Sequence, residues 1–261
     1  MLNLAVASDL HFEFHKNDPA WLPPLPVCCD VLVLAGDIGV GNGAARAVFR
    51  IADALPDTTI VWVAGNHEFY NHHIGKQLDK YRRACAKHPQ VFFLENAAVE
   101  IKGYRFLGCT LWSGFDCLGE ASLKPAMLEA QACISDFSLI RTAAEGRLFT
   151  PTDAAHRYAE SYRWLEAELS TGEPGKMVVV THFPPCREAR HRGLPENPLT
   201  PYFQANCDEL IHRYQPALWL YGHNHWTDDI TLGDTRLVSN QLGYPSEDGY
   251  IPVLGTECIV L

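Results

Sequence analysis

Side chains that can bind metals or transfer protons recur at five points of the sequence, each directly behind an apolar run. They are Asp9-x-His11, Gly36-Asp37, Gly65-Asn66-His67-Glu68, His182 and Gly222-His223-Asn224-His225. Two of these motifs space a pair of donors by one residue, so both side chains of the pair point the same way from an extended backbone. A carboxylate and an imidazole, or two imidazoles, can then reach one cation. A single motif of this kind is more often structural, and the recurrence favours chemistry.

The five motifs together supply more donors than one cation needs. Mixed carboxylate and imidazole donors suit Mn, Fe, Zn or Ni, whereas purely oxygen donors would indicate Mg or Ca. Two cations about 3.5–4 Å apart can orient a bridging hydroxide and bind both oxygens of an in-line phosphoryl displacement, with one carboxylate bridging them. The residue types therefore predict two divalent or trivalent metal ions and hydrolysis of a phosphoric ester.

Buried β-strands must position these side chains. Short apolar runs at residues 2–7, 31–35, 60–64, 177–181 and 217–221 each end at one of the motifs. Helical spacing of apolar residues between the second and third runs gives a strand, helix, strand order, which favours parallel pairing through right-handed crossovers. The carboxyl ends of parallel strands share one edge, where ligands bind in open α/β sheets.

The middle of the chain departs from this alternation. Residues 99–101 and 104–108 flank Lys102-Gly103, which predicts a tight hairpin. From 112 to 151 the periodicity fades, and four aromatic residues, Trp112, Phe115, Phe137 and Phe149, are scattered through the segment. We expect this segment to cover the sheet, with a lid over the site as the alternative. No repeat or interdomain linker appears, so residues 1–261 are predicted to form a single domain.

Composition narrows the class of partner. The 261 residues include 21 basic and 31 acidic residues, for a net charge of −10. Such a balance argues against a docking surface for long nucleic acid or for an anionic membrane. A small phosphorylated substrate remains compatible, because a bound cation reverses the local field. The sequence carries no signal for the oligomeric state or for the natural substrate.

The expected cellular compartment is inferred from the first residues of the sequence, the length of its apolar runs and its cysteines. The first residues have no basic start and reach Asp9 too soon for an export signal, and no apolar run is as long as a membrane span. Nine cysteines without a regular framework indicate reduced thiols. Cys28-Cys29 is expected to be a pair of small buried residues. We therefore expect a cytoplasmic protein.

A cationic cluster follows His182 in this acidic chain. It consists of Arg187, Arg190, His191 and Arg192. One interpretation is a solvated face, and the other is a set of contacts for a substrate phosphate or carboxylate.

In their order along the chain, the five motifs resemble those of the calcineurin-like metallophosphoesterases, in particular the compact bacterial members. The resemblance implies an α/β fold with two facing mixed β-sheets sandwiched between helices in four layers, α/β/β/α. It further implies that Asp9, His11 and His225 bind one metal, that Asn66, His182 and His223 bind the other, and that Asp37 bridges them. His67 then contacts the phosphoryl oxygen or protonates the leaving alkoxide. Glu68 has no role in these steps and is expected to be structural.

Two positions depart from the family pattern. Ile38-Gly39-Val40 stands where a second Asp often follows the bridging one, and Asn224 stands where the last motif usually has a hydroxyl residue. Neither departure removes a predicted ligand, so they concern the substrate and the subfamily.

The leading hypothesis is a phosphoesterase in which a metal-bound hydroxide attacks a phosphomonoester or small phosphodiester. The first alternative is a nuclease or cyclic-nucleotide phosphodiesterase with the same centre, and the net charge disfavours its polymer version. A second alternative, from another class, is a non-catalytic binding scaffold on the same fold. Such a scaffold could lose ligands without penalty, whereas this chain retains every ligand and His67.

Overall fold

Short apolar runs form the strands of two sheets in the computed structural model, which describes residues 1–18, 20–26, 29–142, 146–247 and 258–261. Cys28 and residues 143–145 of the predicted covering segment lie outside the described residues. The first sheet has the order β13-β1-β2-β3-β4 and contains β1 (Asn3–Ala7), β2 (Val31–Ala35), β3 (Thr59–Val63), β4 (Val91–Leu94) and β13 (Ile259–Val260). β1 to β4 are parallel, which confirms the predicted pairing, and β13 is antiparallel.

The second sheet is also mixed. Its order is β11-β12-β10-β9-β6-β5, and its strands are β5 (Ala97–Ile101), β6 (Tyr104–Cys109), β9 (Met177–Thr181), β10 (Leu218–Tyr221), β11 (Asp228–Leu232) and β12 (Thr235–Ser239). The four inner strands are parallel and both edge strands are antiparallel. The predicted hairpin is confirmed: Lys102 and Gly103 have φ of 50° and 82°, as the tight turn between β5 and β6 requires.

Helices cover the outer face of each sheet. They are α1 (Asn42–Ala54), α2 (Ile74–Cys85), α3 (Glu120–Cys133), α4 (Asp136–Leu139), α5 (Pro151–Thr171) and α6 (Asp208–Tyr214). Alternate strand residues point to opposite faces, so Leu34 and Trp62 pack with α1 and α2, whereas Val33 and Val180 meet between the sheets. Trp219 packs on the other outside face with residues of α5 and α6. The predicted four-layer α/β/β/α fold is confirmed.

Residues 112–151 contain structure that the apolar pattern did not predict. Helix α3 has Pro125 in its interior and buries only Ala126 and Ala130, so it lacks the apolar stripe from which a helix is recognised. The two-stranded ribbon β7 (Arg141–Thr142) and β8 (Arg147–Leu148) follows α4. The side chains of the segment's four scattered aromatic residues are buried in the core on the outer side of the second sheet.

This topology brings strand ends from both sheets together. β1, β2 and β3 lead to Asp9, Asp37 and Asn66, while β9 and β10 lead to His182 and His223. The polar residues therefore meet at the shared edge of the two sheets. Within the described part of the chain, no helix combines the length and the apolar character needed to cross a membrane.

Candidate metal centre

The backbone turns sharply at the candidate ligands. Positive φ angles occur at Asp9 (55°), His11 (45°), Asp37 (52°), His223 (79°) and His225 (54°). Residues with a Cβ seldom adopt this left-handed region, at a cost of about 1 kcal/mol or more each. The chain therefore turns into the left-handed region after β1, β2 and β10, and the surrounding structure has to hold these five residues in place.

One donor group consists of Asp9, His11 and His225. Its ligand atoms lie within 4.8 Å of one another. His11 Nε2 is 3.2 Å from His225 Nε2, and Asp9 Oδ1 is 3.5 Å from the same His225 atom. Asp9 and His11 are fully buried. The structure thus brings together the three residues predicted for one metal.

The second group surrounds His182. Its Nε2 lies 3.1 Å from Asn66 Oδ1, 3.2 Å from His223 Nδ1 and 3.5 Å from Asp37 Oδ2. Asp37 Oδ2 is also 4.0 Å from His11 Nε2, which belongs to the first group. The Asp37 carboxylate therefore lies between the two groups, at the position that a bridging ligand needs.

The donor chemistry fits transition-metal ions. Nitrogen and oxygen atoms with lone pairs face one another at 3.1–3.5 Å, and mixed imidazole and carboxylate donors suit Mn, Fe, Zn or Ni. The buried His223 Nε2 has no hydrogen-bond partner among the described residues. The residues present could hold two cations, one in each group.

Without cations, protons balance the buried carboxylates. Burial lowers the pKa of His182, but the charge and hydrogen bond of Asp37 and the charge of Asp9 together outweigh it and raise that pKa to about 9. Burial likewise opposes the charge on His225, while hydrogen bonds to Asp9 and Glu247 raise its pKa to about 10. Burial and the charge on His182 lower the pKa of His223 well below its usual range.

Glu68 connects the turn that carries Asp37 to the turn that carries Gly65 and Asn66. Its fully buried carboxylate accepts hydrogen bonds from the backbone N–H groups of Asp37 (3.0 Å), Ile38 (2.9 Å) and Gly65 (2.8 Å). A Cβ on Gly65 would lie 2.2 Å from Asp37 Oδ1, so only glycine permits this approach. These contacts support the expectation that Glu68 has a structural role.

Asp136 orients Asn66, and sequence reasoning missed it. The buried Asp136 Oδ1 accepts hydrogen bonds from Asn66 Nδ2 at 2.9 Å and from the Tyr70 hydroxyl at 2.9 Å. The Tyr202 hydroxyl donates to Asp136 Oδ2. This network turns the Asn66 oxygen towards His182. No local signal marks Asp136, because it lies 70 residues from Asn66 in the segment without periodicity.

Three more residues contact the histidines. Glu247 lies 2.7 Å from His225 Nδ1, Glu13 lies 2.8 Å from His67 Nδ1, and the Tyr244 hydroxyl lies 3.0 Å from His67 Nε2. Sequence reasoning missed all three. Glu13 alone carried a signal, because it continues the one-residue spacing of Asp9 and His11.

A cleft of about 620 Å³ opens beside the donors. Asp37, Asn66, His223 and His225 line its base, and its walls include Ile134, Leu194, Phe203, Arg190 and His191. Arg187 instead pairs with Glu196 at 2.7 Å, and Arg192 pairs with Asp228 at 3.0 Å. The cationic cluster is thus divided: Arg190 and His191 line the cleft, Arg187 pairs with Glu196 of the cleft lining, and Arg192 pairs with Asp228 outside it.

Known proteins share this sequence pattern and fold. A family model described as calcineurin-like phosphoesterase matches residues 2–227. The uncharacterized protein L509 of Acanthamoeba polyphaga mimivirus is 26% identical over 231 residues, which are 83% of this chain and 79% of that protein. The crystal structure of phosphopantetheinyl hydrolase PptH from Mycobacterium tuberculosis is similar, with a TM-score of 0.66, 22% identity, and coverage of 93% of this chain and 90% of that one. The protein TT1561 of Thermus thermophilus has a TM-score of 0.53, 17% identity, and coverage of 92% and 89%.

Replacing Glu68 with Gln should destabilise the protein. A glutamine side chain offers one acceptor oxygen and turns an N–H₂ group towards the buried backbone N–H groups, which costs about 1–3 kcal/mol. We expect the midpoint of thermal unfolding to fall by about 2–4 °C for each kcal/mol lost. Differential scanning calorimetry in chelator would measure this change, with the exposed Glu160→Gln as the matched control. Equal midpoints for the two variants would contradict the assigned role.

The stability of the metal-free protein should fall as pH rises. His182 and His225 keep their protons up to pH values of about 9 and about 10 when folded, but only to about 6.5 when unfolded. Their contribution is complete below pH 6.5 and is lost as pH rises through the folded pKa values. Thermal midpoints measured in chelator between pH 6.5 and 9 should therefore decrease. Added Mn²⁺ should make the thermal midpoint depend less on pH, because the metal replaces the protons. Parallel curves of midpoint against pH with and without Mn²⁺ would refute the explanation.

Proposed function

The chain belongs to the calcineurin-like phosphoesterase family, a family of metal-dependent phosphoric ester hydrolases, and from this premise we propose that it hydrolyses a phosphomonoester or small phosphodiester at a dinuclear centre. The observation that carries the proposal is the position of Asp37 Oδ2, 3.5 Å from His182 Nε2 and 4.0 Å from His11 Nε2. A carboxylate between two separate groups of donors is what a bridged pair of cations requires.

In this proposal each donor group holds one metal ion. Asp9, His11 and His225 would hold the first ion, Asn66, His182 and His223 would hold the second, and Asp37 would contact both. Metal ions at these positions supply Lewis-acid stabilisation of phosphoryl oxygens and lower the pKa of a water nucleophile. The donor types favour Mn, Fe, Zn or Ni.

His67 is the proposed catalytic residue. Its side chain is only 9% exposed, its Nε2 lies 3.9 Å from Asp37 Oδ2, and the same atom contacts the Tyr244 hydroxyl that lines the cleft. Burial lowers its pKa, but the charge of Asp37 together with the hydrogen bond and charge of Glu13 outweighs burial and raises the pKa above its ordinary value. A protonated imidazole beside the cleft can contact a phosphoryl oxygen or protonate the leaving oxygen.

The cleft supports a small substrate that carries an organic group. Its volume of about 620 Å³ exceeds what a phosphoryl group fills, and Ile134, Leu194 and Phe203 give it apolar walls. One neighbour of similar fold is named a phosphopantetheinyl hydrolase, so a phosphopantetheinyl ester is one compound to test. A net charge of −10 weighs against long nucleic acid as the substrate.

The compartment is part of the proposal. Cys85, Cys109, Cys186 and Cys207 are buried free thiols, as expected of a chain in a reducing environment. We therefore propose that the protein acts in the cytoplasm.

Replacing Asp37 with Asn should abolish turnover. Loss of the bridging charge removes several kcal/mol of stabilisation, equivalent to about 10³-fold or more in rate. The assay is hydrolysis of p-nitrophenyl phosphate, its bis ester and a 2′,3′-cyclic nucleotide with Mn²⁺ supplied, and the exposed Asp79→Asn serves as the control. Unchanged activity of Asp37→Asn would remove the bridging assignment.

If the wild-type chain binds no transition metal and hydrolyses none of these esters, a binding scaffold is the better interpretation.

The preference among these three esters also decides between the remaining alternatives. Faster hydrolysis of the bis ester or the cyclic nucleotide would favour a phosphodiesterase, and faster hydrolysis of the monoester a phosphatase.

Arg190 and Arg192 should differ in their effect on substrate binding. Arg190 lines the cleft, whereas Arg192 is paired with Asp228. A charged hydrogen bond contributes about 1.5–3 kcal/mol, so Arg190→Ala should raise KM for the preferred ester by about tenfold or more. Arg192→Ala, two residues along the same loop, should leave KM unchanged. Steady-state kinetics and metal analysis of both variants test this, and equal KM values for them would place Arg190 outside the substrate contacts.

A further inference from the structure

One carboxylate oxygen contacts two histidines of the site. Glu13 lies in the short 3-10 turn Phe12–Phe14, directly after His11, and its side chain is only 13% exposed. Its Oε1 is 2.8 Å from His67 Nδ1 and 3.1 Å from His11 Nδ1. A carboxylate accepts hydrogen bonds and cannot donate them, so each Nδ1 carries the hydrogen of its bond.

This contact sets the direction of both rings. His11 turns its Nε2 towards His225 Nε2 at 3.2 Å, inside the first donor group. His67 turns its Nε2 towards the Tyr244 hydroxyl, at the cleft. The rings of His11 and His67, which have different proposed roles, are thus both oriented by Glu13 Oε1.

We propose that Glu13 is a positioning residue that holds His67 for proton transfer to the leaving group and holds His11 in the tautomer of a metal ligand. This inference rests on the proposed function of the site. As the P–O bond to the leaving group breaks, His67 Nε2–H gives its proton to the leaving oxygen, which departs as an alcohol. Water supplies the oxygen that phosphorus gains and releases one proton to solvent. The ring is left neutral with its Nδ1–H on Glu13, and Nε2 takes up a proton from solvent before the next turnover.

A second carboxylate provides a matched comparison. Glu247 lies 2.7 Å from His225 Nδ1, so it also fixes a histidine of the site through Nδ1. His225 belongs to the first donor group alone and has no part in proton transfer. Glu247→Gln should therefore weaken metal binding without affecting the leaving group, whereas Glu13→Gln should affect both.

The kinetic experiment compares two leaving groups. Phenol is a poorer leaving group than p-nitrophenol and needs more help from a general acid. Glu13→Gln should lower kcat by about 10²-fold or more for the phenyl ester and by less than about tenfold for the p-nitrophenyl ester, with Mn²⁺ saturating. Glu247→Gln should lower both by one common factor. If the wild-type protein hydrolyses monoesters, the phenyl and p-nitrophenyl monoesters are compared. If it hydrolyses diesters, the corresponding diaryl esters are compared.

A double-mutant cycle tests whether Glu13 acts through His67. In a His67→Asn background, Glu13→Gln should not change the ratio of the two rates any further, because the ring that it positions is gone. A ratio that changes by the same factor in both backgrounds would show that Glu13 acts by another route.

A spectroscopic measurement is independent of activity and of any variant that fails to fold. In the wild-type chain loaded with Zn²⁺, ¹H–¹⁵N correlation spectra of the imidazole rings should show hydrogen on Nδ1 of both His67 and His11. A bare Nδ1 on His67, or an equal loss of kcat for both esters in Glu13→Gln, would overturn the inference. If the wild-type protein hydrolyses no ester, the proposed function fails instead, and the spectra still report on the tautomers.

Discussion

The hydrogen bonds from three backbone N–H groups to the buried Glu68 carboxylate fix the distance between the ends of β2 and β3. Asp37 and Gly65 both donate to Glu68 Oε2, and Gly65 leaves room for the Asp37 carboxylate where a Cβ would collide with it. The left-handed backbone at Asp37 is strained and would relax without this support. Every arrangement that uses Asp37 as a bridge depends on these bonds, although Glu68 itself is not one of the proposed ligands.

The side chains of four candidate ligands are each held by a further residue outside the ligand set. His182 Nδ1 donates to the Ala35 carbonyl oxygen at 2.9 Å, Asp136 holds the Asn66 amide, and carboxylates hold the rings of His11 and His225. Such partners fix the ring orientation and raise the basicity of the ligand atom. They also add negative charge to a site that already buries Asp9 and Asp37. In the metal-free chain, protons on His182 and His225 offset part of this charge, and bound cations would take over that role.

The sequence predicted the parts of the site that are encoded locally. A ligand directly after a buried strand is visible because strand, turn and donor are neighbours in the chain, whereas the four layers were expected only from the family resemblance of the motifs. The supporting residues were not predictable in this way. Glu13 and Asp136 meet their partners across 54 and 70 residues, and only the folded chain shows which distant carboxylate faces which ligand. Helix α3 was not predicted because it buries only two small residues and has no apolar stripe.

The residues proposed for catalysis and the residues that surround the substrate come from different parts of the fold. The residues proposed for catalysis follow strands, whose positions are fixed by the sheets, whereas the walls of the cleft come from the loop at Ile134 and from the segment at residues 190–204. Segments of this kind tolerate change in length and sequence, and they carry specificity on a rigid scaffold. The three arginines of the cationic cluster show the consequence. They lie within six residues of one another in the sequence, yet Arg190 lines the cleft, Arg187 is paired with Glu196 of the cleft lining, and Arg192 is paired with Asp228 outside it. Strand-end motifs therefore indicate the class of reaction, and the choice of ester depends on side-chain positions that only the fold defines.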